Sequence, residues 1–329
     1  MTISNIENEE LSLRIYQSCK EAGYDDCGII SVDDMDSYII NVQRRIESVP
    51  TSAGFNQRAF HIMEKLKKDF PWVKSIVICL SEISRYRYPK ELQGMYAKGL
   101  FVSRDAAKNG PEYEKKLKLG QWFDEQNIMW TGSTQENGFV IWGLRHAAEV
   151  AGLGVIRKNN ALYNENGSWL ELDVFLIGEH CRLYQQKQLP PCPENCNICQ
   201  KACPTSALHA PYTINPLHCV SAINTLGKGV VPDGIREEQV GIWLSGCDAC
   251  QDICPFNENH DWSKGEPYPG LEELVDFMRP ENILEADVES LSQKICNSCG
   301  RRRNCPKDAN TLKVNAKRVI GNMKKDTDA

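Results

Sequence analysis

The chain has 329 residues, 41% hydrophobic and 25% charged, with a formal net charge of −6 and fifteen cysteines. The length admits one large domain or two ordinary ones, and the composition is that of a soluble globular protein. From the hydropathy and the polar N-terminus we expect no transmembrane helix and no secretory leader, and the acidic balance makes no wholly basic nucleic-acid surface evident, although local basic patches are compatible with it. The expectation is a cytoplasmic protein, away from membranes, with reduced thiols. In that setting metal ligation outranks disulfides as the use of so many cysteines.

Taken in order, residues 9–23 set Leu11, Leu13, Ile15 and Tyr16 among charges and stop at Gly23, which predicts a helix. Residues 27–30 read as a short buried strand. A second helix is predicted over 57–69, ended by Pro71. The apolar, β-branched run 75–80 predicts a central strand, in which Cys79 packs as a small hydrophobe. Residues 81–110 are loop-rich and aromatic, and long loops in a compact domain carry function. Helical spacing returns over 111–127 and 139–151, the latter closed by Gly152-Leu153-Gly154. Residues 159–167 are turn-rich, and 169–177 alternate into a strand pair. Helices and strands interleaved in this way predict an α+β or α/β domain over 1–180. A cysteine-rich module follows over 181–265. The last segment, 266–329, is expected to be helical over 270–278 and 311–323. Its basic run from Arg301 to Lys325 reads equally as a solvated helix or a phosphate-binding end.

Eight cysteines fall between Cys192 and Cys254. Cys192, Cys196, Cys199 and Cys203 form one set and Cys219, Cys247, Cys250 and Cys254 the other. Each set ends C-x2-C-x3-C-P, the signature of bacterial two-cluster ferredoxins. Thiolates are soft ligands, and four of them suit a [4Fe–4S] cube. The cysteine before each proline ligates the other cluster in such pairs, so Cys192, Cys196, Cys199 and Cys254 are assigned to one cube and Cys203, Cys219, Cys247 and Cys250 to the other. Structural zinc shares the C-x2-C spacing, but two full sets ending in Cys-Pro favour iron. Cys192 departs from the pattern: three residues, not two, separate it from Cys196. A further set, Cys296, Cys299 and Cys305, points to a third metal site, with His260, His180 or Cys181 as a fourth ligand; reduced, unliganded thiols are the alternative.

Several stretches together resemble the epoxyqueuosine reductases and their relatives, the corrinoid reductive dehalogenases. They are Lys20 to Asp25 running into Gly28-Ile29, Tyr96-Ala97-Lys98-Gly99, Ala151 to Gly154 followed by Lys158-Asn159, Gly167-Ser168-Trp169, Cys247 to Asn257, and Asn315-Ala316 through Gly321-Asn322. The resemblance implies a nitroreductase-like domain holding base-off cobalamin beside a ferredoxin-like module, with electrons from a low-potential ferredoxin or flavodoxin passing through the clusters to cobalt. It implies a corrinoid pocket lined by Tyr96 and the 96–101 loop, by Gly152, Gly154, Lys158 and Asn159, and by Gly167, Ser168 and Trp169. Glycines there allow backbone to approach a bulky ligand, although ordinary turn chemistry accounts for the same residues.

The chain departs from that family where an acidic proton donor and a Thr-Ala-Pro stretch are expected. Residues 135–140 read Gln-Glu-Asn-Gly-Phe-Val instead; Glu136 is the candidate displaced donor, with Tyr96 and Tyr163 as other candidates and a solvated loop glutamate as the alternative reading of Glu136. The expected function is an oxidoreductase acting on a small or tRNA-borne substrate, with weak or no turnover of epoxyqueuosine tRNA and a different substrate preferred. An electron-transfer protein serving a partner enzyme and a flavin-bearing reductase are the alternatives.

Overall fold

The apolar run at 75–80 forms the inside of a four-stranded antiparallel sheet. Its strand, Ser75–Glu82, lies between Asp26–Ser31 and Leu170–Ile177, and Trp130–Gly132 adds the far edge. This computed structural model describes residues 3–101, 111–134, 141, 143–185, 189–258, 260–299 and 305–327. The chain divides into two units, one of residues 1–82 and 114–193 and the other of 83–113 and 194–329.

In the first unit the strand period of two explains why the central run is apolar throughout. Ile76, Ile78 and Leu80 face a layer made by the helices Asp36–Ser48, Ala53–Asp69 and Leu144–Val150, through Tyr38, Val42, Met63, Leu66 and Ala147. Val77 and Cys79 face the opposite layer, built by Ile3–Ala22 and Pro111–Glu125 through Ile15, Cys19, Leu119 and Phe123. Both faces of the sheet are thereby covered, and each large side chain buried in this way contributes about 1.5–3 kcal/mol.

Three elements differ from expectation here. The helix expected at 139–151 is described as Leu144–Val150, preceded by Gly143 at φ +85°, a left-handed residue that cannot continue a helix backwards. The strand pair expected at 169–177 is a single strand, Leu170–Ile177, and the small hairpin lies earlier, between Val155–Ile156 and Leu162–Tyr163. Helix Asp36–Ser48 was not expected. It follows a turn capped by Ser31, whose hydroxyl accepts from Asp33 N while Asp34 accepts from Ser31 N.

The second unit is built from short pieces: helices Ile198–Ala202, Val220–Asn224, Glu237–Val240 and Ala249–Asp252 around the cysteines, then Pro280–Glu285, Val288–Cys299 and Cys305–Thr327. The expected helix at 270–278 is a single 3-10 turn, Glu272–Leu274, followed by further turns, and Pro280 takes the first position of the next helix, Pro280–Glu285.

This division differs in two places from three consecutive segments 1–180, 181–265 and 266–329. Residues 83–113 belong with the cysteine-rich part, and so does the tail. The first is bonded in by backbone: Ala97 N donates to Ser245 O at 2.9 Å and Leu244 N to Met95 O at 2.7 Å. No described helix is long and apolar enough to cross a membrane.

Candidate metal centre

The two Cys-Pro ends take the same backbone shape. Cys203 sits at φ −72°, ψ 111°, directly after helix Ile198–Ala202, which carries Cys199. Cys254 sits at φ −74°, ψ 124°, shortly after helix Ala249–Asp252, which carries Cys250. A proline forbids the helical conformation to the residue before it. Pro204 and Pro255 therefore push the last cysteine of each set into extended backbone, off the helix that holds the third. Cys219 occupies the N-cap position of helix Val220–Asn224, also extended, at φ −66°, ψ 122°.

The thiols of the second unit feel one another. Burial pushes the Cys250 thiol well up, and the neighbouring Cys219, Cys203 and Cys199 push it further. Burial likewise raises Cys247, with Cys250 and Cys219 adding to it. Gathered thiols that oppose each other's ionisation are relieved by a cation that they ligate. The donor set thus fits iron–sulfur clusters. Cys192 lies at the end of the first unit, where its Sγ is 4.0 Å from Arg157 Nη1 and the Arg157 guanidinium stands 5.2 Å from the Tyr163 ring centre.

Two supports of this region went unread in the sequence. Lys98 and Asp248 are both 3% exposed and form an ion pair at 3.3 Å. Lys98 N also donates to Asp248 Oδ2 at 2.8 Å, and Lys98 Nζ reaches Asp252 Oδ1 at 2.7 Å. Burial pushes the Asp248 carboxyl up to about 6, against the pull of Lys98. Lys98 thereby clamps the residue between Cys247 and Ala249. The Tyr-Ala-Lys-Gly stretch was the available signal, with no hint of its partner.

The other support is polar and buried, on one face of helix Cys305–Thr327. Asn315 Nδ2 donates to Asn224 O and Leu244 O at 3.0 and 2.8 Å, Arg318 donates to Gly229 O and Trp243 O at 3.3 and 3.0 Å, and Asn322 Nδ2 donates to Glu237 O and Gly241 O, both at 3.0 Å. These carbonyls belong to the segments that lead into Cys247 and out of Cys219. Arg318 is 6% exposed, so this part of the basic tail is neither a solvated face nor a phosphate-binding one.

The residues named for a corrinoid are mostly occupied by protein. Tyr96 belongs to the second unit; it is 1% exposed and donates its hydroxyl to Met278 O at 2.8 Å. In the first unit, a Cβ on Gly152 would stand 1.8 Å from Gln185 O, and one on Gly154 2.4 Å from Tyr163 O. The close approach that requires glycine at both positions is thus made by the chain itself. Lys158 Nζ donates to Pro193 O at 2.7 Å, and Asn159 Nδ2 to the Tyr163 hydroxyl at 2.8 Å. Gly167 takes φ +108°, and Ser168 and Trp169 are buried beside it. Asn160 Nδ2, buried in the turn of residues 157–161, has no partner among the described residues, and the residue lines a cavity of about 430 Å³ with Arg45, Arg145 and His146.

Other cavities measure about 420 Å³ in the first unit, beside His180 and Cys181, and about 680 Å³ in the second, beside His260 and Trp262. Such volumes suit a drug-sized molecule.

Glu136 lies outside the described residues, as do the side chains of Cys296, Cys299 and Cys305; the first two cysteines end helix Val288–Cys299 and the third starts Cys305–Thr327. Of the fourth ligands considered for them, His180 and Cys181 belong to the first unit and His260 to the second. Burial raises the Cys181 thiol to about 11 and lowers the His260 imidazole.

Residues 192–257 match the family model described as a 4Fe-4S double cluster binding domain. Among curated proteins, the epoxyqueuosine reductase of Prochlorococcus marinus (strain NATL2A) is 31% identical over 196 residues, 57% of this chain and 60% of that protein. That of Bacillus subtilis (strain 168) is 28% identical over 276 residues, 82% of this chain and 69% of that protein. The chain is thus similar to epoxyqueuosine reductases and carries a segment that matches a 4Fe-4S double cluster binding domain.

The chain spans 60% of the Prochlorococcus relative's length and 46% of that of a Synechococcus relative. Solved epoxyqueuosine reductases share the fold. One from Bacillus subtilis, with an aspartate-bearing catalytic loop swung out of its active site, superposes with a TM-score of 0.73 at 22% identity, covering 97% of this chain and 83% of that one. Another, holding an epoxyqueuosine-modified tRNA-Tyr stem loop, gives 0.70 at 21% identity with the same coverage. The mixed α/β architecture of an epoxyqueuosine reductase-like protein is accordingly present along nearly the whole chain.

Proposed function

We propose that this protein is a cytoplasmic iron–sulfur reductase of the epoxyqueuosine reductase type. It takes electrons from a low-potential donor of the ferredoxin or flavodoxin class and delivers them to an oxygen-bearing group on a tRNA-borne substrate. The observation that carries this reading is the pair of Cys-Pro-terminated sets within residues that match the double cluster model. The clusters supply one-electron transfer at low potential. This chain's part is to ligate them through Cys192, Cys196, Cys199 and Cys254 for one and Cys203, Cys219, Cys247 and Cys250 for the other. The Lys98–Asp248 pair and the Asn315–Arg318–Asn322 face hold the second motif in place.

Reductive removal of an epoxide oxygen consumes two electrons and two protons and releases water, leaving a carbon–carbon double bond. Glu136, in the stretch where the resemblance leads one to expect an acidic donor, is the proposed proton donor, a carboxyl being a competent general acid. Cobalamin as the final electron acceptor is the finer part of the proposal. It is supported by the resemblance of the Gly152–Asn159 and Gly167–Trp169 stretches, and no step is derived through it. A third metal at Cys296, Cys299 and Cys305 is proposed on their spacing alone.

The test is anaerobic. Protein reconstituted with iron and sulfide, with and without added cobalamin, is given a chemical low-potential reductant and epoxyqueuosine-containing tRNA. Conversion that depends on intact clusters supports the reading. Iron-loaded protein that neither binds nor converts that tRNA overturns it in favour of an electron carrier.

A further inference from the structure

Three cysteines outside the cysteine-rich segment also meet. Cys27 and Cys79 are direct partners across the two neighbouring antiparallel strands, and Cys19 comes down onto them from the last turns of helix Ile3–Ala22. Cys19 Sγ lies 3.2 Å from Cys27 Sγ and 3.5 Å from Cys79 Sγ, and the three sulfurs all fall within 4.8 Å of one another. Each residue is 0% exposed, inside the apolar layer with Ile15, Phe123 and Phe175. Among the described residues no imidazole or carboxylate joins the group.

A buried cysteine is ordinarily a small hydrophobe, and one such residue would call for nothing more. Here three sulfurs from three separate elements close a triangle. A thiolate-bound cation sits about 2.3 Å from sulfur, so three sulfurs around one cation in a plane lie about 4 Å apart. The observed triangle needs only a small expansion to reach that geometry. Donors that are all sulfur select soft, thiophilic ions.

We propose that Cys19, Cys27 and Cys79 form a structural site for one thiophilic d10 cation, copper(I) or zinc(II), inside the first unit. On binding, each thiol that becomes a ligand releases its proton to solvent, and no electron is transferred. Coordination number ranks copper(I) first, since three sulfurs complete its shell while zinc takes a fourth ligand. Charge ranks zinc(II) first, since a divalent ion leaves less net negative charge in an apolar interior. With no exposed sulfur the ion enters as the unit folds and then ties the helix to both strands. The site is independent of the iron–sulfur reading and stands or falls separately from it.

The experiment uses the full chain with its clusters, produced in separate cultures supplemented with zinc or with copper and purified without oxygen. Metal content is compared with that of Cys19→Ala and Cys79→Val, apolar replacements that preserve packing. About one equivalent of zinc or copper, lost at least five-fold in both variants while iron stays constant, supports the site. Equal zinc and copper in wild type and variants overturns it. Anomalous diffraction from wild-type crystals at the zinc and copper edges needs no variant: a peak amid the three sulfurs supports the site, and a blank map at both edges overturns it whether or not the variants fold.

Discussion

Arg318 Nη2 donates to Asn224 Oδ1 at 2.7 Å, joining the terminal helix to the helix that Cys219 caps. The same guanidinium reaches Trp243 O and Gly229 O, so a single buried cation holds three segments that flank the second cysteine set. Burial lowers its pKa to about 10, which leaves it charged at neutral pH.

Replacing Arg318 with Met keeps the volume and removes every donor. Asn224 Oδ1, Asn315 Oδ1 and Gly229 O then lose this donor, while Trp243 O keeps that of Asn224 Nδ2; the cost is about 1–3 kcal/mol for each group left unsatisfied that water does not reach. We expect a loss of about 2–4 kcal/mol in the stability of the second unit. In chelator challenge, Arg318→Met should surrender cluster iron faster than wild type. Unchanged iron release would show that the helix does not support the cluster segment.

Cys254→Ser tests the crossed ligation. The cluster held by Cys196 and Cys199 should be lost or converted, although those residues are remote in sequence. Electron paramagnetic resonance of the reduced protein should then show one intact centre where wild type shows two interacting ones. Loss of the Cys247–Cys250 centre alone would reassign the ligand.

Lys98→Met removes the cation from buried Asp248. Breaking a buried pair from one side costs about 3–5 kcal/mol, because the remaining charge is uncompensated. Lys98→Met with Asp248→Leu should recover much of that loss. A double-mutant cycle in urea measures the coupling; additive effects would mean that Lys98 acts mainly through Asp252.

His146 sets a pH dependence of the first unit. Burial, helped by the nearby charge of Arg45, holds its pKa below the ordinary 6.5, and its Nε2 lies 2.8 Å from Ser37 Oγ. With the folded value lowered, the unfolded chain binds the proton first. Stability is therefore full above about 6.5 and declines as pH falls through that value toward the folded pKa, below which the loss is constant. His146→Gln should flatten this decline. Urea midpoints of both proteins at pH 7.5 and pH 5 measure it, and equal declines would assign the acid sensitivity elsewhere.

The parts of this protein that are legible in sequence are those whose physics is local. The Cys-Pro ends are read from adjacent residues because a proline constrains its immediate neighbour, and residues 192–257 match a double cluster domain as their spacing predicts. The central strand at 75–80 and the terminal helix at 311–323 were visible because periodic burial is written along a single element.

Tertiary structure decided everything that depends on which distant residues meet. The assignment of 83–113 to the cysteine-bearing unit, the Lys98–Asp248 pair, and the protein backbone filling the space at Gly152 and Gly154 have no signature in spacing. The clearest case is Cys19, Cys27 and Cys79. No ligand motif links them in the chain, and Cys79 read alone is a packing residue. Only strand register, which sets Cys27 opposite Cys79, and the descent of a helix onto that pair bring three sulfurs together. Register and helix docking follow from the burial of whole faces, a sum over many side chains that no short stretch of sequence contains.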